Sequence, residues 1–170
     1  MHESRTGQIV NPQWYAIIDC AQDPRLSDLA KNCADRVCLF KGRDLEPELL
    51  AAAPWLVRID PAEPLLPTWQ KHGQSANWGI MLQTALGLDE LRKRLRRFLQ
   101  VKLPDGTIAL FRFYDPRVFN TYIRAATAEE RTLWFDDILQ YSAEATAGTA
   151  MHNYRLIDGT LFDNGLAIVG

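Results

Sequence analysis

Cysteine and histidine are both scarce: the 170 residues hold three of each. The cysteine number is odd, and Cys20, Cys33 and Cys38 lack the paired short spacing of a zinc site. They read as buried or half-buried free thiols, not as a disulfide framework or a metal centre. His2, His72 and His152 fall in unrelated contexts, namely the start of the chain, a helix end and a strand near the C-terminus. A Cys20–His72 pair is conceivable, because a nucleophile and its base need only meet in space, but nothing in the sequence favours it. No glycine-rich phosphate loop, no GxSxG elbow and no HExxH helix occurs. Asp19, at a strand end, stands where α/β enzymes often place function; its plainer reading is a cap or an arginine partner. No catalytic residue, metal-ligand set or cofactor can therefore be named, and the expectation is a protein that is not an enzyme.

Long apolar runs are missing as well. No stretch approaches the roughly 20 residues that span a bilayer. The start of the chain is polar and lacks the apolar core of a signal peptide. A cytoplasmic protein that does not engage membranes is expected. A strong charge of either sign is also lacking: the net charge of −2 argues against general polyanion binding. What remains is an apolar fraction of 47%, enough at this length for one domain with its own core.

Strand and helix signals alternate along the chain. Residues 1–12 read as a flexible leader. Residues 14–20 form an aromatic and aliphatic run suited to a buried strand, and Asp23-Pro24 opens a helix reaching about Cys33. A short strand over 36–40, a turn at Lys41-Gly42 and a helix over 45–53 follow. Pro47 fits that helix only in its first turn, and Pro54 ends it. A third strand covers 55–59, a short helix 63–73, and an apolar strand 78–84. Leu88, Leu91, Leu95, Phe98 and Leu99 recur at helical spacing and predict a helix over 88–101. A Pro-Asp-Gly turn leads to a strand over 107–113, rich in β-branched and aromatic residues. Asp115-Pro116 caps a helix to about Ala126, and Thr127 with Glu130 makes a capping box for another over 128–139. Residues 140–146 and 150–157 form a hairpin around Gly148, with a further strand to Phe162 and a short end beyond. The expectation is an α/β fold: a central, largely parallel or mixed sheet flanked by helices, with a C-terminal β-hairpin extending that sheet or packing beside it. The domain covers 13–139, and 140–170 is a short C-terminal hairpin extension.

Two places carry more charge than the fold requires. One is the strand-to-helix corner Phe111-Arg112-Phe113-Tyr114-Asp115-Pro116-Arg117. If Phe111 and Phe113 point inward, the pleat turns Arg112 and Tyr114 the other way, a combination that suits an interface anchor. Arg117 in a first helical turn opposes the helix dipole, so it needs a carboxylate on this chain or on a partner. Arg112, Tyr114, Asp115 and Arg117 are accordingly candidates either for a binding surface or for an internal brace. The other place is the basic face of the 88–101 helix, where Arg94 and Arg97 are the candidates. A solvated face, a protein contact and a phosphate contact all remain open there.

The order of several stretches resembles the DUF4123 family, adaptor chaperones of bacterial type VI secretion. Tyr15-Ala16-Ile17-Ile18-Asp19 resembles its opening strand. Leu39-Phe40-Lys41-Gly42, Ala53-Pro54-Trp55-Leu56-Val57 and Asn77-Trp78-Gly79 resemble its next elements, with Trp55 in place of the usual tyrosine. Leu88 to Leu99 is similar to its leucine–arginine helix. Asp105-Gly106 through Phe111-Arg112-Phe113-Tyr114-Asp115-Pro116-Arg117-Val118 is the longest and most specific stretch. The resemblance implies a cytoplasmic, non-enzymatic protein that binds a toxic effector and promotes its loading onto the VgrG spike. Many members carry a larger, variable C-terminal lobe that selects the cargo; here about thirty residues follow Leu139. A nucleic-acid-binding domain and a cryptic enzyme are the alternatives.

Overall fold

The run Gln13–Asp19 contains neither glycine nor proline and is buried from Tyr15 onward, and the sheet is built around it as β1. The computed structural model describes residues 11–40, 46–146 and 150–169. Most of the leader, the turn at Lys41-Gly42 and the hairpin tip at Gly148 lie outside them. After β1 come α1 (Arg25–Lys31), β2 (Arg36–Cys38), α2 (Pro47–Ala52), β3 (Pro54–Arg58), α3 (Leu65–His72) and β4 (Gly79–Thr84). Then follow α4 (Leu88–Arg96), β5 (Gln100–Lys102), β6 (Ile108–Leu110), α5 (Pro116–Ala125) and α6 (Ala128–Trp134). The chain finishes with β7 (Ile138–Glu144), β8 (Met151–Ile157), β9 (Thr160–Asp163) and β10 (Leu166–Ala167).

Eight strands form one sheet in the order β10-β9-β8-β7-β4-β1-β3-β2. The class and the helix-flanked central sheet are as the sequence predicts, but the neighbouring strands are antiparallel throughout, not largely parallel. The reason lies in β1. The α3 connection joins β3 to β4, which run in the same direction as a crossover requires, yet β1 is inserted between them and runs against both.

The pleat of β1 sends Tyr15 and Ile17 to one face and Ala16 and Ile18 to the other. On the first face Leu91 and Leu95 of α4, Phe119 and Ile123 of α5 and Trp134 of α6 pack over the sheet. Trp134 is the hub. It stacks on Phe98 at 3.9 Å between ring centroids and meets Phe113, Phe119 and Tyr141 edge-on. On the second face α1 and α3 contribute Leu26, Ala30, Leu65 and Trp69. That helical layer stops short of β7 and β8. The strands there present polar groups that bind one another: Ser142 Oγ donates to Asn153 Oδ1 at 2.6 Å, and Arg155 Nε to Gln140 Oε1 at 2.8 Å.

Three elements differ from expectation. Helix α4 ends at Arg96, because residues 97–99 tighten into i→i+3 bonds before the chain extends as β5. The strand expected over 107–113 is only Ile108–Leu110. It pairs with β5 alone as a two-stranded ribbon, and Ile108 is 61% exposed where a buried strand was expected. Helix α6 keeps its capping box but stops at Trp134, and Asp137 then takes a positive φ that starts β7. The C-terminal hairpin extends the sheet: β7 pairs with β4, and Tyr141 and Tyr154 are fully buried in the main core.

Candidate functional site

β1 ends at Asp19, whose N–H donates to the carbonyl of Trp78 at 2.7 Å just before β4 begins. The two strands come so close here that a Cβ on Gly79, at φ +154°, would lie 1.8 Å from the Ile17 carbonyl oxygen. Only glycine fits. The Asp19 side chain is 1% exposed and accepts bonds from Ala21 N–H at 3.2 Å, Gln22 Nε2 at 2.8 Å and Arg112 Nη2 at 2.5 Å. Asp19 is thus the buried carboxylate that answers Arg112.

Beyond β6 the chain does not continue as a strand. Phe111 N–H donates to Leu99 O, and Asp115 N–H to Arg112 O at 3.0 Å, which turns residues 112–115 sharply. The strict pleat alternation is lost, so Phe113 and Tyr114 are both buried, with ring centroids 5.7 Å apart. Burial, aided by the charge of Asp19 and opposed by Arg112, pushes the Tyr114 hydroxyl up to about 12. Asp115 caps α5 by accepting Arg117 N–H at 3.0 Å, and its two oxygens also take Arg117 Nε at 2.9 Å and Nη2 at 2.7 Å. Burial alone would raise this carboxyl. The Arg117 bonds and the charges of Arg117 and Arg112 outweigh it and hold the group below the usual carboxylate range.

Two buried carboxylates therefore each hold one arginine. The guanidiniums keep an outer side in water: the Arg112 side chain is 41% exposed and that of Arg117 55%. Each arginine also feels the other's carboxylate. A fixed guanidinium with free donors in one plane is suited to carboxylate or carbonyl groups on another molecule.

This corner lies within the part of the chain that matches a family model, that of a domain of unknown function, DUF4123, over residues 14–133. The chain belongs to the DUF4123 family. Comparison with curated proteins and with solved structures found no match. The DUF4123 match runs from β1 into α6 and stops before β7, although β7 completes the same core.

Of the basic-helix candidates, Arg94 is an internal brace. It is largely buried, donates to Asp136 O at 2.7 Å and to Asp137 Oδ2 at 2.8 Å, and so ties α4 to the turn before β7. Arg92 likewise donates to the carbonyls of Cys38 and Phe40. Arg97, the C-cap of α4, is exposed. The structure thus joins Arg112, Tyr114, Asp115 and Arg117 at one corner, while Arg94 binds the turn before β7 and Arg97 stands on another element, the end of α4.

Cys20 is buried, and burial followed by the charge of Asp19 pushes its thiol up to about 12, the reverse of an activated nucleophile. His72 is exposed at the end of α3. Among the described residues no group of three or more His, Cys, Asp or Glu could hold a metal ion, and no helix is long and apolar enough to cross a membrane. The residue that the sequence did not single out is Glu144, at the end of β7. Nothing local marks it, because it continues the polar alternation of Gln140 and Ser142, which reads as a solvated strand face.

Proposed function

We propose that this DUF4123 protein is a cytoplasmic adaptor that binds a type VI secretion effector and promotes its loading onto the VgrG spike, without catalysing a reaction. The role comes from the resemblance carried by the 105–118 stretch. The observation that supports it is the pair Arg112 and Arg117, each anchored to a buried carboxylate and each turned outward. Tyr114 and Asp115 brace this surface from within, and Arg97 offers a second, separate cationic point. A pre-set guanidinium loses little freedom on binding, which favours affinity. The α4 cluster gives less support to nucleic-acid binding, since Arg92 and Arg94 are engaged inside the fold.

The test is co-purification of the toxin and the spike protein with the tagged chain from its native host. Arg117→Ala, expected to fold normally, should cut effector recovery at least about tenfold, as the loss of a charge-assisted contact implies. Full recovery with Arg117→Ala and with Arg97→Ala would remove both arginines from the interface. Absence of any toxin or spike protein in the eluate would overturn the adaptor role.

A further inference from the structure

On the second face of the sheet, where the α1–α3 layer ends, lies a cleft of about 230 Å³ with Leu66, Trp69, Met81 and Met151 on its apolar side and Gln70, Gln74 and Ser75 on its polar side. Glu144 also lines it. This side chain is 6% exposed, and its Oε1 is buried with no hydrogen-bond partner among the described residues. Oε2 accepts a long bond, 3.4 Å, from Asn77 N–H, and the Ser75 amide also acts on this carboxylate. A buried carboxylate oxygen without a partner is costly, and natural folds rarely leave one unmet. Burial raises the Glu144 carboxyl, with the Asn77 and Ser75 amides opposing, as expected of an acid that lacks its cation.

We infer that this cleft receives a lysine side chain from a partner polypeptide, its ammonium on Glu144 Oε1 and its methylenes along Met81, Met151 and Leu66. The complement is specific in three respects. One free acceptor oxygen matches a point-like ammonium better than the two-pronged arginine fork. The apolar walls match a four-carbon stem, and the Trp69 ring at the side favours a cation. A polypeptide is favoured over a free amine because Leu66, Met81 and Met151 also line a groove of about 530 Å³ that runs on past Trp14 and Pro61, giving the residues flanking the lysine a place to lie. The inference does not rest on the adaptor reading, since it requires a basic segment whatever the partner does.

The test titrates methyl-labelled full-length protein with the peptide acetyl-Ala-Ala-Lys-Ala-Ala-amide and follows the Met81 and Met151 methyl resonances. Saturable shifts with a Kd on the order of 1 mM are expected for one lysine. The same peptide with norleucine in place of lysine should bind at least about tenfold more weakly, as should the lysine peptide to Glu144→Gln. The norleucine comparison uses the unaltered protein, so it decides the matter even if the variant folds poorly. No shift at 20-fold the expected Kd, or equal binding of the norleucine peptide, would overturn the lysine site. Equal binding of n-butylammonium alone would overturn the polypeptide part.

Discussion

At the residue scale, Asp19 and Asp115 differ in what their arginines do for stability. Asp19 is buried at the strand end and depends on Arg112 for its charge partner. Arg112→Ala should cost about 2 kcal/mol, with the outer side of the arginine, already in water, keeping the loss from being larger. Arg117→Ala leaves Asp115 its cap bond to the backbone and should cost less than about 1 kcal/mol. Urea denaturation of the two variants measures both, and the reverse order would mean that Asp19 is not the anchor. The depressed Asp115 carboxyl gives a pH signature. Its folded value lies below the unfolded one, so its contribution is complete above about pH 4 and disappears as pH falls through the folded value. The stability gap between the protein and Asp115→Asn should close on acidification, and a gap that stays constant to pH 2 would count against the ion pair. Some of this was legible in the sequence. The capping role of Asp115 follows from Asp-Pro, and the need of Arg117 for a carboxylate follows from its place in a first turn. That Tyr114 faces inward was not legible, because it depends on the Arg112–Asp115 turn, which no local pattern marks.

At the scale of elements, the helix caps and the strand crossing at Gly79 make opposite demands. Thr127→Ala removes half of the capping box of α6 and should cost about 1 kcal/mol. Gly79→Ala drives a Cβ into the Ile17 carbonyl where β1 meets β4, and should cost more than about 4 kcal/mol or prevent soluble expression. Thermal unfolding checks the first and soluble yield the second; a stable Gly79→Ala protein would mean that the strands can separate there. Helix starts could be read because caps and prolines are local. The ends of α4 and α6 could not, since their apolar stripes continue past the last helical turn. Phe98 and Leu99 still enter the core, but from a tightened turn. The β6 reading failed for a related reason: Phe111 and Phe113 gave the run a buried look, yet they belong to the corner and pack on Trp134.

At the scale of the whole molecule, the helix-flanked sheet was legible from the alternation of patterns, whereas its strand directions were not. Nothing in the local sequence says that β1 separates β3 from β4. The C-terminal strands are part of the core, so a chain ending at Leu139 should be unfolded by circular dichroism; a cooperative transition in that truncation would show that β7 and β8 are dispensable. The buried thiols report on the same core. Cys20, pushed up to about 12, and Cys33, pushed up to about 11, should resist a disulfide reagent at pH 8 until denaturant opens the fold. Rapid labelling of both in buffer would mean that the α1 side opens on its own.

The pairing of Met81 with Ser142 has a consequence for synthesis. All of α4, the β5–β6 ribbon, α5 and α6 is translated between the two strands. While the ribosome is making those segments, β1, β3 and β4 can already associate, but β4 presents an open edge with no neighbour. The nascent chain therefore passes through a stage in which its central sheet is sticky on one side, and the later-made β7 is what closes it.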